Sequence, residues 1–319
     1  MIHVPEELVA SQTKYNGEAG RAFVAGLPAR AEEFLDRWGL RTTGPSMYGM
    51  ASLVLPVRRV SDGAPAALKM QILDEETEGE PLGLRVWDGA GAVRLLDHDA
   101  ATGTMLLERL DESRPLTSLP DTRAALGVVA GLLARLVAVP APDGLRTLGD
   151  IAAAMLAEVP AAAGRLGPED AAVLRDCAAA VREVVAEPGD RLLHWDLHLG
   201  NVLAGEREPW LSIDPKPLAG DPGFDLLPAL TDRFDPDPDE ILWRFDLLAE
   251  VVGDRDRAVA WTLGRVLQNG LWDVEDGEPA LDREQITIAR VLKERRGRCL
   301  GAREPWGLGA RRPLRAGDI

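Results

Sequence analysis

One short polar segment constrains this chain more than any other. Asp196 and Asn201 lie five positions apart in the run His-Trp-Asp-Leu-His-Leu-Gly-Asn, which is too short and too rich in glycine and polar residues to form a helix. A second carboxylate, Asp214, closes the apolar, strand-like run Leu-Ser-Ile. We therefore predict that the three polar side chains converge on one spot.

These residue types suit phosphoryl transfer. That reaction needs a carboxylate beside the attacking hydroxyl, and oxygen ligands that hold Mg²⁺ against the phosphates of the nucleotide. The resemblance of this pattern to the catalytic pattern of kinases implies that Asp196 accepts or orients the proton of the acceptor hydroxyl, while Asn201 and Asp214 hold Mg²⁺.

The wording of the segment also resembles a known superfamily. His-x-Asp-x-x-x-x-Asn followed by a later Asp is the catalytic pattern of eukaryotic-type kinases. The full runs, HWDLHLGN from His194 and IDPKPLAGDPGFDL from Ile213, are more similar to the aminoglycoside phosphotransferases, with a second His and with Asp-Pro in place of Asp-Phe-Gly. The run from Asn269 to Gly277 resembles the Trp-x-x-Glu-Asp-Gly stretch of streptomycin 6-phosphotransferases and hydroxyurea phosphotransferases.

The resemblance implies an α+β, bilobal, protein-kinase-like fold. It predicts an N-lobe over residues 1–108 with a small antiparallel sheet, and a larger helical C-lobe over residues 109–294 that carries the catalytic loop and the acceptor site. Residues 295–319 are basic and are expected to form a mobile tail.

Local patterns predict further elements. Ser61-Asp62-Gly63 indicates a hairpin that joins strands at 52–60 and 64–73. Apolar spacing predicts two more strands at 92–96 and 104–107, separated by a polar turn at 98–103, and helices at 17–38, 74–88, 147–163, 168–186, 240–252 and 255–270.

Lys69 lies in the second strand of the hairpin. An unpaired lysine is costly to bury in an apolar strand, so it should reach the surface or meet anions. The resemblance implies that Lys69 contacts the phosphates of the nucleotide and pairs with a glutamate on a helix. Glu80 is the first choice for this partner, and Glu75, Glu76 and Glu78 are the alternatives.

The remaining nucleotide contacts follow from the same resemblance. Backbone groups of Glu108 and Leu110 should hold the adenine at the junction of the lobes, and the turn from Ser46 to Ser52 should cover the phosphates with backbone N–H groups and serine hydroxyls. That turn has one central glycine where protein kinases have a glycine-rich loop. ATP is the expected nucleotide, and GTP remains open.

The histidines and Asp225 are assigned supporting positions. His194 is expected to buttress the catalytic loop, and His198 either makes a structural hydrogen bond or contacts the acceptor. Asp225 either hydrogen-bonds the backbone of the catalytic loop or caps its own helix.

The expected acceptor is a hydroxyl of a cationic antibiotic of the streptomycin type, because carboxylates recognise guanidinium groups and aromatic rings attract cations. The alternative for the acids of the 232–239 loop and the helix end is ordinary solvated surface. The candidate contacts in the late part of the chain are His198, Asp232, Asp235, Trp243, Trp272, Glu275 and Asp276.

Composition narrows the partners. A net charge of −16 argues against binding nucleic acid or an anionic membrane, and the chain has neither a signal peptide pattern nor an apolar span. Two cysteines without metal spacing favour a reduced, cytoplasmic protein. We expect a monomer or weak dimer acting on a small molecule; the rival interpretations are a kinase of another alcohol, sugar or hydroxyurea, a protein kinase, and a nucleotide-binding pseudokinase.

Overall fold

The first part of the chain builds an antiparallel sheet with a long helix against it. The computed structural model describes residues 2–301. Five strands follow the order β1-β3-β4-β6-β5, and β2 pairs with the end of β3. The elements are α1 (Glu6–Arg37), β1 (Leu40–Thr42), β2 (Met47–Tyr48), β3 (Ser52–Arg59), β4 (Pro65–Gln71), α2 (Glu80–Trp87), β5 (Leu95–Asp99) and β6 (Thr104–Glu108).

The second part is mainly helical. Its short strands form two small antiparallel sheets, β10-β9-β7 and β11-β8, which place the catalytic segment between them. The elements are β7 (Asp111–Pro115), α3 (Thr122–Leu136), α4 (Leu148–Ala163), α5 (Pro168–Val184), β8 (Arg191–Leu193), β9 (Val202–Ala204), β10 (Leu211–Ser212), β11 (Leu218–Gly220), α6 (Leu227–Thr231), α7 (Pro238–Val252), α8 (Arg255–Glu275) and α9 (Arg283–Gly301).

The alternation of side chains along β4 divides the interior into two apolar clusters. Ala66, Leu68 and Met70 pack on the side of α1, whereas Ala67 belongs to the larger cluster that continues into the helical part. Because successive strand residues face opposite sides, Lys69 faces the same side as Ala67, toward the helical part. The pleat of one strand therefore aims the lysine into the cleft.

Several predicted boundaries were wrong. The first helix begins at Glu6 rather than residue 17, and Gly17 interrupts it with a φ of 53°. Residues 74–79 form a turn, so α2 begins only at Glu80, because Asp74 and Thr77 bind backbone groups of that turn. The strand predicted at 92–96 lies at Leu95–Asp99, so it includes part of the predicted turn.

Two late segments also differ from expectation. The run from Asn269 to Glu275 continues α8, so its side chains follow a helical face. The helix α9 extends to Gly301 and so covers the start of the segment expected to be a tail. The rest of that predicted tail, residues 302–319, lies outside the described residues. Within residues 2–301, no helix is both long enough and apolar enough to cross a membrane.

The packing of α2 against Pro217 generates a stability prediction. A Cβ at Gly83 would lie 2.5 Å from Cγ of Pro217, so we expect Gly83→Ala to lower the free energy of unfolding by about 1–3 kcal/mol despite the better helix propensity of alanine. Urea denaturation measures this change.

Gly127→Ala is the matched control. Gly127 lies within α3, and a Cβ there would have no described atom within 4 Å. We expect it to stabilise the fold by about 0.5–1 kcal/mol. Equal gains in both variants would contradict the close contact between α2 and Pro217.

Candidate active site

Lys69 lies at the centre of a three-residue ion cluster. Its Nζ is 2.7 Å from both carboxylate oxygens of Glu80 and 2.5 Å from Oδ1 of Asp214. The side chains of Lys69 and Glu80 are only 4% and 2% exposed, whereas that of Asp214 is 38% exposed. The glutamate thus holds the lysine from behind, and the aspartate meets it at the open side of the cleft.

The pKa shifts reflect the surplus of negative charge around one lysine. Burial opposes the charge on Lys69, but Asp214 and Glu80 outweigh burial and raise its pKa. Burial raises the pKa of Glu80 against the influence of Lys69. Burial also opposes ionisation of Asp214, but Lys69 outweighs it and lowers the pKa of that carboxyl. The cluster has two carboxylates for one lysine, and this excess suits a further cation.

The catalytic segment is held in an unusual backbone conformation. Trp195, which is buried, has a φ of 64°, in the left-handed region that a bulky residue rarely adopts. Asp225 holds it there by accepting the N–H groups of His194 at 2.9 Å and of Trp195 at 2.7 Å. Of the two readings of Asp225, the structure shows the hydrogen bonds to the catalytic loop.

Asp196 follows directly and faces the cleft. The side-chain amide of Asn201 donates to the carbonyl of Asp196 at 2.9 Å and to its carboxylate Oδ2 at 3.2 Å. The same Oδ2 lies 3.5 Å from Nζ of Lys216. Both groups lie at Oδ2, and the hydrogen bond from Asn201 orients the carboxylate.

His194 lies beneath this loop as a neutral group. Burial lowers its pKa to about 4. Its ring stacks on Trp87 of α2, and its Nδ1 accepts the N–H of Asp196 at 3.4 Å. These contacts connect the catalytic loop to the helix that carries Glu80.

A cavity of about 290 Å³ opens beside Lys69 and Asp214. Four of the predicted nucleotide residues line it, namely Ser52, Lys69, Glu108 and Leu110, together with the predicted metal ligands Asn201 and Asp214. Its apolar walls come from both parts of the chain: Val54, Ala67, Val93, Leu107, Leu203 and Ile213. Such a slot accommodates a flat aromatic ring, with charged groups at one end.

The loop over this cavity is held by the N-terminal helix. The carbonyl of Met50 accepts hydrogen bonds from the side chains of Ser11 at 2.8 Å and Gln12 at 2.9 Å. Ser46 is not among the residues that line the cavity, so the structure gives no support to its predicted contact.

Two further cavities lie at the catalytic segment, one lined by Asp196 and the other by its neighbour Trp195. One, of about 280 Å³, is lined by Asp196, His198 and Asp232. Both of the predicted acceptor residues also have structural partners, because His198 Nδ1 accepts the N–H of Gly200 at 3.1 Å and Asp232 accepts that of Leu199 at 2.6 Å.

The second, a cavity of about 440 Å³, contains Trp272 and Glu275 as predicted. Its other charged residues come from segments that we had not connected with the acceptor. The carboxylates are Asp74, Glu75, Glu76, Glu158 and Glu275, and Arg146 is the guanidinium among them.

Three predicted acceptor residues lie elsewhere. The carboxylate of Asp235 accepts the N–H of Asp237 in an exposed loop. The ring of Trp243 lies 4.0 Å from the guanidinium of Arg123. Asp276 ends α8 and is exposed. None of the three lines either cavity at the catalytic segment. Asp235 instead accepts an N–H group of its own loop, and Asp276 faces solvent.

Sequence reasoning also missed two cations of the site. Lys216 lies two residues after Asp214, and Arg265 of α8 lines the 280 Å³ cavity. The guanidinium of Arg265 is buried 4.9 Å from the ring of Trp195, and burial lowers its pKa to about 10. The one signal in the sequence for either residue was the position of Lys216 between two prolines.

Solved structures identify the class of fold. A thermostable mutant of an aminoglycoside phosphotransferase, in ternary complex with ADP and hygromycin B, matches with a TM-score of 0.57 at 15% identity, over 82% of this chain and 97% of that one. The fold is therefore the predicted bilobal, protein-kinase-like one.

Sequence relatives identify the family. A hydroxyurea phosphotransferase from Kitasatospora aureofaciens is 64% identical over 301 residues, covering 93% of this chain and 88% of that protein. A streptomycin 6-kinase from Streptomyces glaucescens is 59% identical over 301 residues, covering 92% and 98%. The family model for aminoglycoside/hydroxyurea antibiotic resistance kinases matches residues 37–277. The chain belongs to this family, as its motifs predicted.

Asp225 generates a prediction about pH. Burial raises its pKa from 3.8 to about 6, so the folded chain retains a proton that the unfolded chain releases between these values. This contribution to stability is therefore present at low pH and is lost as the pH rises through about 6. We expect the free energy of unfolding of the wild type, relative to Asp225→Asn, to fall by about 1 kcal/mol from pH 5 to pH 7. A difference that stays constant in urea denaturation would contradict it.

Proposed function

We propose that this protein transfers the γ-phosphoryl group of ATP, with Mg²⁺, to a hydroxyl of a cationic aminoglycoside, with streptomycin as the first choice. The observation that carries the proposal is the convergence of four polar groups: Lys69, Asn201 and Asp214 line a nucleotide-sized cavity, and Asp196, which is hydrogen-bonded to Asn201, lines a second cavity. The names of the two relatives support an antibiotic acceptor. The intact set of polar groups disfavours a pseudokinase.

The nucleotide is assigned to the 290 Å³ cavity. Adenine would lie between the apolar walls near Glu108 and Leu110, and Lys69 would hold the phosphates, with Glu80 keeping its ammonium in place. ATP is preferred, and GTP is the alternative. The bound ADP of the structural neighbour supports a nucleotide in this fold.

Asn201 and Asp214 fit Mg²⁺. They line the same cavity, the amide nitrogen of Asn201 is already used on Asp196, and the carboxylate of Asp214 is exposed to the cleft. Two protein oxygens are few for a metal site, and this matches the usual sharing of Mg²⁺ between carboxylates, water and phosphates. The metal would neutralise charge on the phosphates.

Asp196 is assigned to the acceptor hydroxyl. Because Asn201 and Lys216 engage Oδ2, we assign the hydroxyl to Oδ1. The hydroxyl oxygen forms a bond to the γ-phosphorus, the bond from that phosphorus to the bridging oxygen of ADP breaks, and the hydroxyl proton passes to Asp196. The protein contributes mainly orientation and charge.

The acceptor is assigned to the cavity lined by Asp196 and to the acid-lined cavity next to Trp195. Five carboxylates against one guanidinium in a space of about 440 Å³ favour a large cation over a small neutral molecule. Hydroxyurea, the substrate in the name of one relative, is the second candidate, although it would fill only a small part of this space.

We also propose the expected division of the chain, its oligomeric state, its location and its partners. We assign the nucleotide sheet to residues 1–108 and the catalytic and acceptor groups to residues 109–294. A monomer or weak dimer in the cytoplasm, with a small-molecule substrate, is the proposed working form. The net charge of −16 supports the absence of a nucleic-acid partner.

The first functional prediction concerns Asp196→Asn. We expect the loss of the proton acceptor to lower kcat with streptomycin by about 10² to 10⁴, while the Kd of ATP stays within about threefold of wild type. Steady-state kinetics and calorimetry measure the two effects. Asp190→Asn, which changes an exposed acid six residues earlier, is the control. Wild-type turnover in Asp196→Asn would refute the role of Asp196.

A second prediction concerns the cationic acceptor. Removing one negative charge with Glu275→Gln should raise the KM for streptomycin about threefold to tenfold with less effect on kcat, and the KM of the wild type should rise with ionic strength. Asp235→Asn is the control, because Asp235 lies outside the cavity. If both variants behave alike, or if only neutral acceptors react, the assignment to a cationic antibiotic fails.

A further inference from the structure

We propose that Lys216 is a further catalytic residue, whose ammonium contacts the transferred phosphoryl group on the acceptor side, and that Glu76 positions it. The proposal rests on the phosphotransferase function proposed above. The carrying observation is that Nζ of Lys216 lies between Oδ2 of Asp196, at 3.5 Å, and Oε2 of Glu76, at 3.8 Å.

The backbone of Lys216 is held against the catalytic loop. It lies between the buried residues Pro215 and Pro217, which restrict its backbone to an extended form. Its N–H donates to the carbonyl of His194 at 3.0 Å, which attaches it to the catalytic loop. The ring of Pro217 packs against Gly83 of α2. These contacts therefore hold the Cα of Lys216 in a fixed position relative to the catalytic loop that carries Asp196.

The ammonium, in contrast, forms no normal hydrogen bond with either carboxylate. Both of its N–O distances exceed that of a normal hydrogen bond. The side chain is 30% exposed and faces a cavity of about 150 Å³ between Glu76, Trp195, Arg265 and Trp272. An ion pair with a purely structural task would be closer. This lysine has room to move from Asp196 to an incoming anion.

Glu76 is fixed by its own turn. The carboxylate of Asp74 accepts the N–H groups of Glu76 and Thr77 at 2.9 Å each, and the hydroxyl of Thr77 donates to the carbonyl of Ile72 at 2.7 Å. The same segment continues into Glu80. Residues 74–80 thus supply one glutamate to each lysine of the site: Glu80 to Lys69, and Glu76 to Lys216.

The reaction needs a cation at this place. During transfer, negative charge spreads over the three equatorial oxygens of the phosphoryl group. Lys69 and the metal approach from the nucleotide side, where Lys69 is tied to Glu80 and Asp214. Lys216 lies on the side of Asp196, toward the acceptor. When its ammonium binds a phosphoryl oxygen, it also moves away from Oδ2 of Asp196.

Arg265 is the rival cation, and its environment argues against this task. Its guanidinium is buried between aromatic rings, 4.9 Å from Trp195 and 5.6 Å from both Phe224 and Trp272. A planar group held on several rings cannot follow a moving phosphoryl group as readily as a lysine on a flexible stem.

The test compares Lys216→Met, Lys216→Arg and Glu76→Gln in the full chain. We expect Lys216→Met to lower kcat by about 10² to 10³ with little change in the KM of ATP, Lys216→Arg to recover part of the rate, and Glu76→Gln to lower kcat about tenfold. Lys293→Met, on the exposed surface of α9, is the matched control.

The decisive readout is binding, not turnover. A planar fluoroaluminate anion with ADP and Mg²⁺ mimics the transferred phosphoryl group, whereas a non-hydrolysable ATP analogue mimics the ground state. We expect Lys216→Met to weaken the fluoroaluminate complex by about 10² without weakening the analogue. Calorimetry, or the ¹⁹F resonances of the bound anion, measures this difference.

The outcomes separate the two proposals. If the wild type transfers no phosphoryl group to any acceptor tested, the proposed function fails, and this inference with it. If the wild type is active and Lys216→Met has nearly normal kcat, only the inference fails. If kcat falls but the fluoroaluminate affinity is unchanged, Lys216 acts through Asp196 alone, and the contact with the phosphoryl group is refuted.

Discussion

The burial of one charged amine organises this molecule. Lys69 is almost fully enclosed, and a buried ammonium is tolerated only when carboxylates compensate the loss of water. Its partners Glu80 and Asp214 are 11 and 145 positions away along the chain. The sheet, α2 and the segment after β10 must therefore meet at one point. The contact that forms the proposed nucleotide site therefore also constrains the fold.

The two lysines of the site also determine which ion pairs exist before the substrates bind. In the structure both acidic groups of the reaction are engaged by lysines, Asp214 by Lys69 and Asp196 by Lys216. In the proposed function, a nucleotide with its metal would offer each lysine a phosphate and would offer Asp214 a cation. Binding would therefore replace one set of ion pairs with another without leaving a buried charge unpaired. The lysines would keep both carboxylates oriented until the substrates take over their partners.

The convergence of Asp196, Asn201, Asp214 and Lys69 could be predicted from sequence, because each lies on a short segment whose pattern was recognisable. Asp196 and Asn201 belong to one short loop, and Asp214 lies two residues after β10. The alternation of side chains along β4 makes Lys69 face the cleft. The general fold followed from the same motifs. Boundaries were less predictable where side chains compete with the backbone, as at Asp74 and Thr77, whose hydrogen bonds delay the start of α2.

The acceptor side could not be predicted in the same way, because its charges come from segments that only tertiary packing brings together. Glu76, Glu158 and Glu275 lie on a turn, on α4 and on α8, and no sequence spacing relates them. The acids that do cluster in sequence, such as Asp235 and Asp237, cap nearby N–H groups of their own loop. The acids of the 232–239 loop thus bind N–H groups within that loop, whereas Glu158 and Glu275 lie on helices that line the cavity. For this family, specificity for the acceptor should therefore be sought on the faces of α4 and α8 that line this space rather than in the acidic loop.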